Sequence, residues 1–185
     1  MAYVTTAEAV TASRSSWANR SIAESQMTKS ASAPTTTNFD VFLSHSYEDA
    51  EVIAGIKIMI EREGLSVYVD WIEDSQADRS KVTPATANML RRRMNHCRFL
   101  LFATSKASPN SKWMPWELGY FDGMRHEGVG ILPIIQTPTS SFAGQEYLGL
   151  YPEYEQIGFK GIGRRLGKFT GTNEGETLKA VVSRA

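Results

Sequence analysis

The chain has 185 residues, of which 42% are hydrophobic, and this is enough to bury one core of ordinary size. Twenty basic and twenty acidic residues give a formal net charge of zero, so charge predicts neither a nucleic acid nor a membrane as a partner. A single cysteine, Cys97, cannot form an internal disulfide, and the sequence offers no metal-ligand set, so no metal site is predicted. Without a bilayer-spanning apolar run or a secretory signal, a cytoplasmic location is expected.

Residues 1–38 are rich in Ala, Ser and Thr and contain few branched aliphatic side chains. Such a segment buries too little apolar surface to repay the entropy of ordering it. We therefore expect a leader that is flexible or becomes ordered on assembly, with a possible helix from about Trp17 to Met27. The folded domain is predicted to cover residues 39–185.

From Phe39 onward, predicted strands and helices alternate. The strand FDVFLSHS is followed by YEDAEVIAGIKIMIEREG, whose apolar residues have helical spacing and which ends at Gly64. This alternation predicts a flavodoxin-like α/β sandwich of three layers around a parallel sheet of about five strands. The next elements are the strand LSVYVDW, a polar loop at 72–82, the helix TPATANMLRRRMNHC, the strand CRFLLFAT, the helix SKWMPWELGYFDGMRHEG and the strand GVGILPIIQ.

The pattern is weaker after Thr137. The segment at 140–159 predicts a short helix and an edge strand, and TNEGETLKAVVSRA predicts a closing amphipathic helix.

Ligands of an open parallel sheet bind beyond the carboxyl ends of the strands, so the loops at 44–49, 70–81 and 105–113 are the candidate site. The sequences around these loops, FDVFLSHSYEDA, GLSVYVDW and SKWMPWELG, resemble in this order three boxes of the Toll/interleukin-1 receptor (TIR) domain. The resemblance covers about residues 39–136. It is greatest to bacterial NAD-consuming members, such as the TIR proteins of Thoeris-like anti-phage defence.

Trp113 and Glu117 are four residues apart, so on a helix they lie on one face. An indole beside a carboxylate suits a flat, cationic ligand, although a packed tryptophan and a solvated charge would give the same spacing. The resemblance implies that Glu117 is the catalytic glutamate of an NAD+ nucleosidase and that Trp113 is its pocket tryptophan. If Trp113 lines a pocket, its replacement should change activity while leaving the melting temperature almost unchanged.

Cleavage of the nicotinamide–ribose bond develops positive charge on the ribose, which one fixed carboxylate can stabilise. The reaction implied by the resemblance needs no metal and no cofactor, because NAD+ is the substrate. His45 has a second interpretation, as an ordinary loop histidine. The residues that the resemblance suggests for NAD binding are Trp113, Ser44, His45, Asp70, Trp71, Arg79 and Lys81.

The resemblance also implies the products and partners. Expected products are nicotinamide with ADP-ribose, or with a cyclic or conjugated ADP-ribose that signals to a separate effector protein, and activity is expected to require TIR–TIR self-association. The alternatives are a non-catalytic TIR adaptor and a bacterial effector that imitates host TIR domains. The charge run Arg91, Arg92 and Arg93 is interpreted as a solvated helix face, or as a contact with a neighbouring subunit.

Overall fold

A five-stranded parallel sheet forms the centre of the protein. The computed structural model describes residues 2–17, 34, 36–74, 82–142, 144–172 and 174–185. All four strand pairings in this sheet are parallel, which confirms the predicted α/β sandwich. In spatial order the strands are β1 (Val4–Thr5), β5 (Val129–Ile135), β4 (Cys97–Thr104), β2 (Phe39–Ser44) and β3 (Val67–Tyr68).

Helices cover both faces of the sheet, and each face has its own apolar cluster. Side chains alternate along β2, so Leu43 belongs to the cluster on one face and Phe42 to the cluster on the other. Helices α1 (Thr6–Trp17) and α2 (Ala50–Glu61) pack on the first face, followed in the chain by the single turn α3 (Asp70–Glu73). The second face carries α4 (Pro84–Asn95) and α5 (Met114–Met124). Among the described residues, no helix combines the length and apolar character needed to cross a bilayer.

The starts of α4 and α5 follow from local sequence. The side chain of Thr83 accepts a hydrogen bond of 3.1 Å from the amide of Thr86, and Pro84 is the first helical residue. In α5, Pro115 lies in the first turn, where a missing amide hydrogen removes no intrahelical bond. The proline therefore marks the beginning of α5 and does not interrupt it.

Residues 2–17 correct the prediction of a leader that ends at residue 38. Val4 pairs in parallel with Ile134 at the edge of the sheet, and Val4 and Ala9 are completely buried. Helix α1 approaches α2 closely, because a Cβ atom on Gly55 would lie 1.8 Å from the carbonyl oxygen of Ala9. Small side chains bury little apolar area but let two backbones come together, and composition does not reveal this. Apart from Trp17, the helix predicted at Trp17–Met27 lies outside the described residues.

The C-terminal part differs in detail from the prediction. A 3-10 helix at Glu146–Leu150 occupies the position of the predicted short helix, and the closing helix α6 (Leu178–Val182) is present. Where one edge strand was expected, three antiparallel strands form a second sheet. The prediction missed them because the glycines and charges of GRRLGKF obscure the alternation of apolar and polar residues that marks a strand. These strands are β6 (Glu155–Phe159), β7 (Gly163–Phe169) and β8 (Gly175–Thr177).

The contact between α1 and α2 can be tested at Gly55. An alanine in a helix interior normally stabilises by about 0.5–1 kcal/mol relative to glycine. Gly55→Ala should instead lower the free energy of unfolding by about 1–3 kcal/mol, because the new methyl group would overlap the backbone of α1. The matched control is Gly119→Ala in α5, where a Cβ atom meets nothing within 4 Å. Urea unfolding of both variants checks this, and equal stabilisation by the two would show that α1 does not pack on α2.

Candidate functional site

Ser44 and Glu117 meet at the carboxyl end of the sheet. Ser44 is the last residue of β2, Glu117 lies in the first turn of α5, and 73 positions separate them in the chain. The Ser44 hydroxyl donates a hydrogen bond of 2.6 Å to Glu117 Oε2, and both residues are completely buried. The structure thus joins the predicted catalytic carboxylate to a predicted pocket residue.

The start of α5 positions this carboxylate. The amide of Glu117 donates a hydrogen bond of 2.8 Å to the carbonyl of Trp113, which is the residue that precedes the helix. The i to i+4 relation predicted for the two residues is therefore present. Negative charge is stabilised near a helix N-terminus, where amide dipoles point towards it.

Trp113 is more deeply buried than the sequence predicted. Only 5% of its surface is exposed, and it belongs to the apolar cluster between the sheet and helices α4 and α5. Its ring contacts Trp116 edge to face, with centroids 5.4 Å apart. The expectation that Trp113 could be replaced without loss of stability is therefore corrected, because a buried indole contributes to the core. The neighbouring Glu117 is equally buried, so burial by itself does not separate Trp113 from the candidate site.

His45 and Asp70 form a second buried pair beside Ser44. His45 Nδ1 lies 2.8 Å from the carbonyl of Leu43, which can only accept, so Nδ1 carries a hydrogen. His45 Nε2 lies 3.2 Å from Asp70 Oδ1, and the two residues are 2% and 3% exposed. His45 is therefore a buried residue of the loop after β2, and its role in the pocket stays a prediction. The contact places the residue after β2 beside the first residue of α3.

Trp71, another predicted NAD-binding residue, lies away from this point. Trp71 packs, partly buried, against the apolar cluster on the α1/α2 face, whereas Trp113 belongs to the cluster on the opposite face. Arg79 and Lys81 lie outside the described residues, so their roles stay predictions.

Arg93 contradicts its interpretation as part of a solvated helix face. It is 1% exposed, and its Nε and Nη2 donate hydrogen bonds of 2.8 and 2.7 Å to the two carboxylate oxygens of Asp74. Helical spacing was the available signal, since Arg93 lies three residues after the fully buried Leu90. Tyr68 donates a further hydrogen bond of 2.7 Å to Asp74. Burial, and then the Asp74 charge, raise the pKa of the Tyr68 hydroxyl well above its usual value, so it remains a donor at neutral pH.

A contact between two loops at the same end of the sheet was also missed by sequence reasoning. Ser105, which follows β4, donates a hydrogen bond of 2.5 Å from its hydroxyl to Asp49, which follows β2. The two residues lie in two of the three predicted loops, but nothing in their spacing shows that they would pair.

Two further features bear on the chemistry. Within the described ranges, no three His, Cys, Asp or Glu side chains cluster as a metal site would require. A cavity of about 690 Å³ lies at the opposite, amino end of the sheet. Its lining includes Val129, the first residue of β5. The Ser44–Glu117 pair is not part of its lining. Polar residues around this cavity include Asp122, His126, Glu127, Lys168 and Arg184.

Comparison with family models identifies a family for this chain. The family model described as "TIR domain" matches residues 41–161, more than half of the chain. A solved structure, the TIR domain of the Toll-related receptor TRR-2 from Hydra magnipapillata, aligns with a TM-score of 0.45 at 19% identity, covering 63% of this chain and 84% of that one.

Two curated bacterial relatives are similar over part of their length. A protein of Bacillus cereus (strain MSX-D12), named "Probable 3' cyclic ADP-D-ribose synthase ThsB'", is 58% identical over 115 residues, which are 62% of this chain and 59% of that protein. The "Putative cyclic ADP-D-ribose synthase TIR2" of Cytobacillus dafuensis is 35% identical over 83 residues, 44% of this chain and 22% of that protein. The match therefore spans less than two thirds of either relative.

The burial of Trp113 predicts a measurable loss of stability. Trp113→Ala should lower the free energy of unfolding by about 3–5 kcal/mol, as truncation of a buried tryptophan does. Trp113→Phe should lower it less, because an aromatic ring still fills most of the space. Denaturant unfolding measures both, with Trp116→Ala as the control, since Trp116 is only partly buried. A loss below about 1 kcal/mol for Trp113→Ala would contradict the packing described above.

Proposed function

This chain belongs to the TIR domain family, and on that premise we propose that it is an enzyme that cleaves the nicotinamide–ribose bond of NAD+. The observation that carries the proposal is the buried hydrogen bond of 2.6 Å between Ser44 and Glu117 at the carboxyl end of the sheet. It holds a single carboxylate in one orientation, in the first turn of a helix and four residues after a tryptophan. A TIR domain that served only as an adaptor would have no need of such a carboxylate.

The chemistry requires little more than this carboxylate. Nicotinamide leaves as a neutral molecule that takes the electron pair of the glycosidic bond, and positive charge develops at the ribose carbon. Glu117 would stabilise that charge electrostatically in a site with little water, where such interactions are strong. Because Glu117 has no exposed surface, NAD+ can reach it only when the segments that cover it move.

Burial of the site also favours a cyclic product. After nicotinamide leaves, the ribose carbon bonds either to water, which gives ADP-ribose, or to a nucleophile of the same nucleotide, which gives a cyclic ADP-ribose, and each route releases one proton. The complete burial of Glu117 and the near-complete burial of Trp113 limit access by water. The two relatives named as cyclic ADP-D-ribose synthases support the same choice. We therefore infer a cyclic ADP-ribose as the principal product.

The remaining residues have proposed roles in binding. Trp113 would combine its packing in the core with a role as the aromatic wall beside the nicotinamide, so its replacement would lower both stability and activity. Ser44 and the His45–Asp70 pair would define the ribose side of the pocket. Arg79 and Lys81 would meet the pyrophosphate from the loop after α3. Trp71 has no part in this proposal, because it packs against the other face of the sheet.

The proposed biological setting is bacterial immune defence in the cytoplasm. A cyclic nucleotide made on infection would act on a separate effector protein, and self-association through TIR–TIR contacts would switch synthesis on. The names of the two relatives support synthesis of the nucleotide, and the effector and the assembly are the further steps of the proposal.

Replacement of Glu117 tests the proposed reaction. Glu117→Gln keeps the size of the side chain and an acceptor for Ser44 but removes the negative charge, so kcat should fall at least about a hundredfold, or roughly 2.7 kcal/mol. Glu127→Gln, an exposed glutamate on the lining of the amino-end cavity, is the matched control and should retain activity. Chromatography with mass spectrometry of nicotinamide and the nucleotide product gives the rates. Near-normal turnover by Glu117→Gln would refute the assignment.

Self-association predicts activity that depends on protein concentration. The sequence from Ile72 to Lys81 is polar and carries both Asp78 and Arg79, which suits a docking segment. Turnover per molecule should rise with concentration as light scattering detects larger species, and Arg79→Glu or Asp78→Arg should impair both. Lys160→Glu, at an exposed position after β6, is the control. Constant turnover per molecule over a range in which the protein stays monomeric would rule out control by assembly.

A further inference from the structure

A buried arginine holds Asp74, the residue that follows helix α3. The two hydrogen bonds from Arg93 to Asp74 form a bidentate pair, which fixes the orientation of both side chains. The Arg93 Nη1 group donates a third hydrogen bond of 2.8 Å to the carbonyl of Pro34. Tyr68 adds its hydroxyl bond to Asp74, and its ring centroid lies 5.4 Å from the guanidinium carbon. Asp74 is thus held from α4 and from β3 at the same time.

The single turn of helix α3 connects Asp74 to Asp70 through backbone hydrogen bonds. The amide of Asp74 donates a hydrogen bond of 2.7 Å to the carbonyl of Asp70, and the amide of Glu73 donates one of 2.9 Å to Val69. Four residues are too few for a helix to be stable by itself, so external contacts decide whether this turn forms. The contacts of Asp74 with Arg93 and Tyr68 therefore help to place the first residue of α3, Asp70, together with the packing of Trp71 and Ile72 against the core.

Asp70 in turn lies against the candidate active site. Its carboxylate is 3.2 Å from His45 Nε2, and the residue before His45 is Ser44, which hydrogen-bonds Glu117. A continuous series of short contacts therefore leads from Arg93 on α4 to the catalytic carboxylate on α5, by way of α3 and the end of β2.

We propose that Arg93 is a positioning residue for NAD+ cleavage, which acts through Asp74 and α3 on the His45–Asp70 side of the pocket. This inference rests on the proposed function and adds a residue that touches neither Glu117 nor Ser44 in the described contacts. Arg93 fixes the position of the His45–Asp70 side of the pocket, whereas Ser44 fixes the orientation of the Glu117 carboxylate. The competing explanation is that the buried ion pair contributes only to stability.

Steady-state kinetics of Arg93→Lys separate these explanations. Lysine keeps the charge but cannot make the bidentate contact, so α3 should shift and KM for NAD+ should rise about fivefold or more. Because the Ser44–Glu117 bond is untouched, kcat should stay within about twofold, a split that loss of folded protein would not produce. Arg92→Lys, the same change one residue earlier at an exposed position, is the control and should change neither constant. Equal KM values for the two variants would overturn the proposal.

A double-mutant cycle tests the route of the effect. If Arg93 acts through Asp70, the combined Arg93→Lys and Asp70→Asn variant should have nearly the same kcat/KM as the more impaired single variant. Independent contributions would instead multiply and overturn the proposal. Should either variant fail to fold, Tyr68→Phe keeps the ring but removes the hydroxyl, with its bond to Asp74 and its weak contact with Met89, and it should raise KM in the same direction. An unchanged KM in a folded Tyr68→Phe variant would then show that the contacts of Asp74 do not position the pocket.

Hydrogen exchange distinguishes failure of this inference from failure of the proposed function. If the wild-type protein releases no nicotinamide, the proposed function is wrong. Hydrogen exchange measured by mass spectrometry still tests whether the contacts of Asp74 with Arg93 and Tyr68 hold α3 in place. Arg93→Lys should then speed exchange several-fold in peptides that cover 70–74 and 43–46, relative to Arg92→Lys. Faster exchange confined to α4 would show that Arg93 does not act on the pocket.

Discussion

The structure depends on a carboxylate that is buried where water cannot solvate it. Burying a charged group is costly unless hydrogen bonds and dipoles replace its water. For Glu117 these come from the Ser44 hydroxyl and from the start of α5, so the end of β2 and the beginning of that helix must meet closely. Every element of the candidate site is arranged around this meeting: Trp113 precedes the helix, His45 follows the strand, and Asp70 lies against His45.

Buried polar pairs, and not a surface field, organise the rest of this end of the sheet. The chain has no net charge, yet His45–Asp70 and Arg93–Asp74 place charged or protonatable groups in contact below the surface. Such pairs are sensitive to geometry, since removing one partner leaves the other buried without compensation. They bring residues that follow β2 and β3 into contact with each other and with α4.

The strand at one edge of the sheet comes from the amino-terminal segment, which the sequence did not predict. Sequence patterns placed the last strand of the sheet after Thr137, where the chain instead forms a separate antiparallel sheet. Val4 and Thr5 pair with the outer side of β5, and α1 lies on α2 through Gly55. The amino-terminal segment therefore protects a strand edge that would otherwise be free to pair with other chains.

The sequence by itself determined the alternation of strands and helices from Phe39 to Ile135, the start of α4 at Thr83, and the helical relation of Trp113 to Glu117, because periodicity and capping act over a few residues. Only the tertiary structure decided which distant groups meet: Ser44 with Glu117, His45 with Asp70, Arg93 with Asp74, and Ala9 with Gly55. The composition of residues 2–17 did not predict that they pack on the domain, and the run of three arginines did not predict that Arg93 is buried. In both cases the energy comes from close approach and exact pairing between elements far apart in the chain, and no local pattern records such contacts.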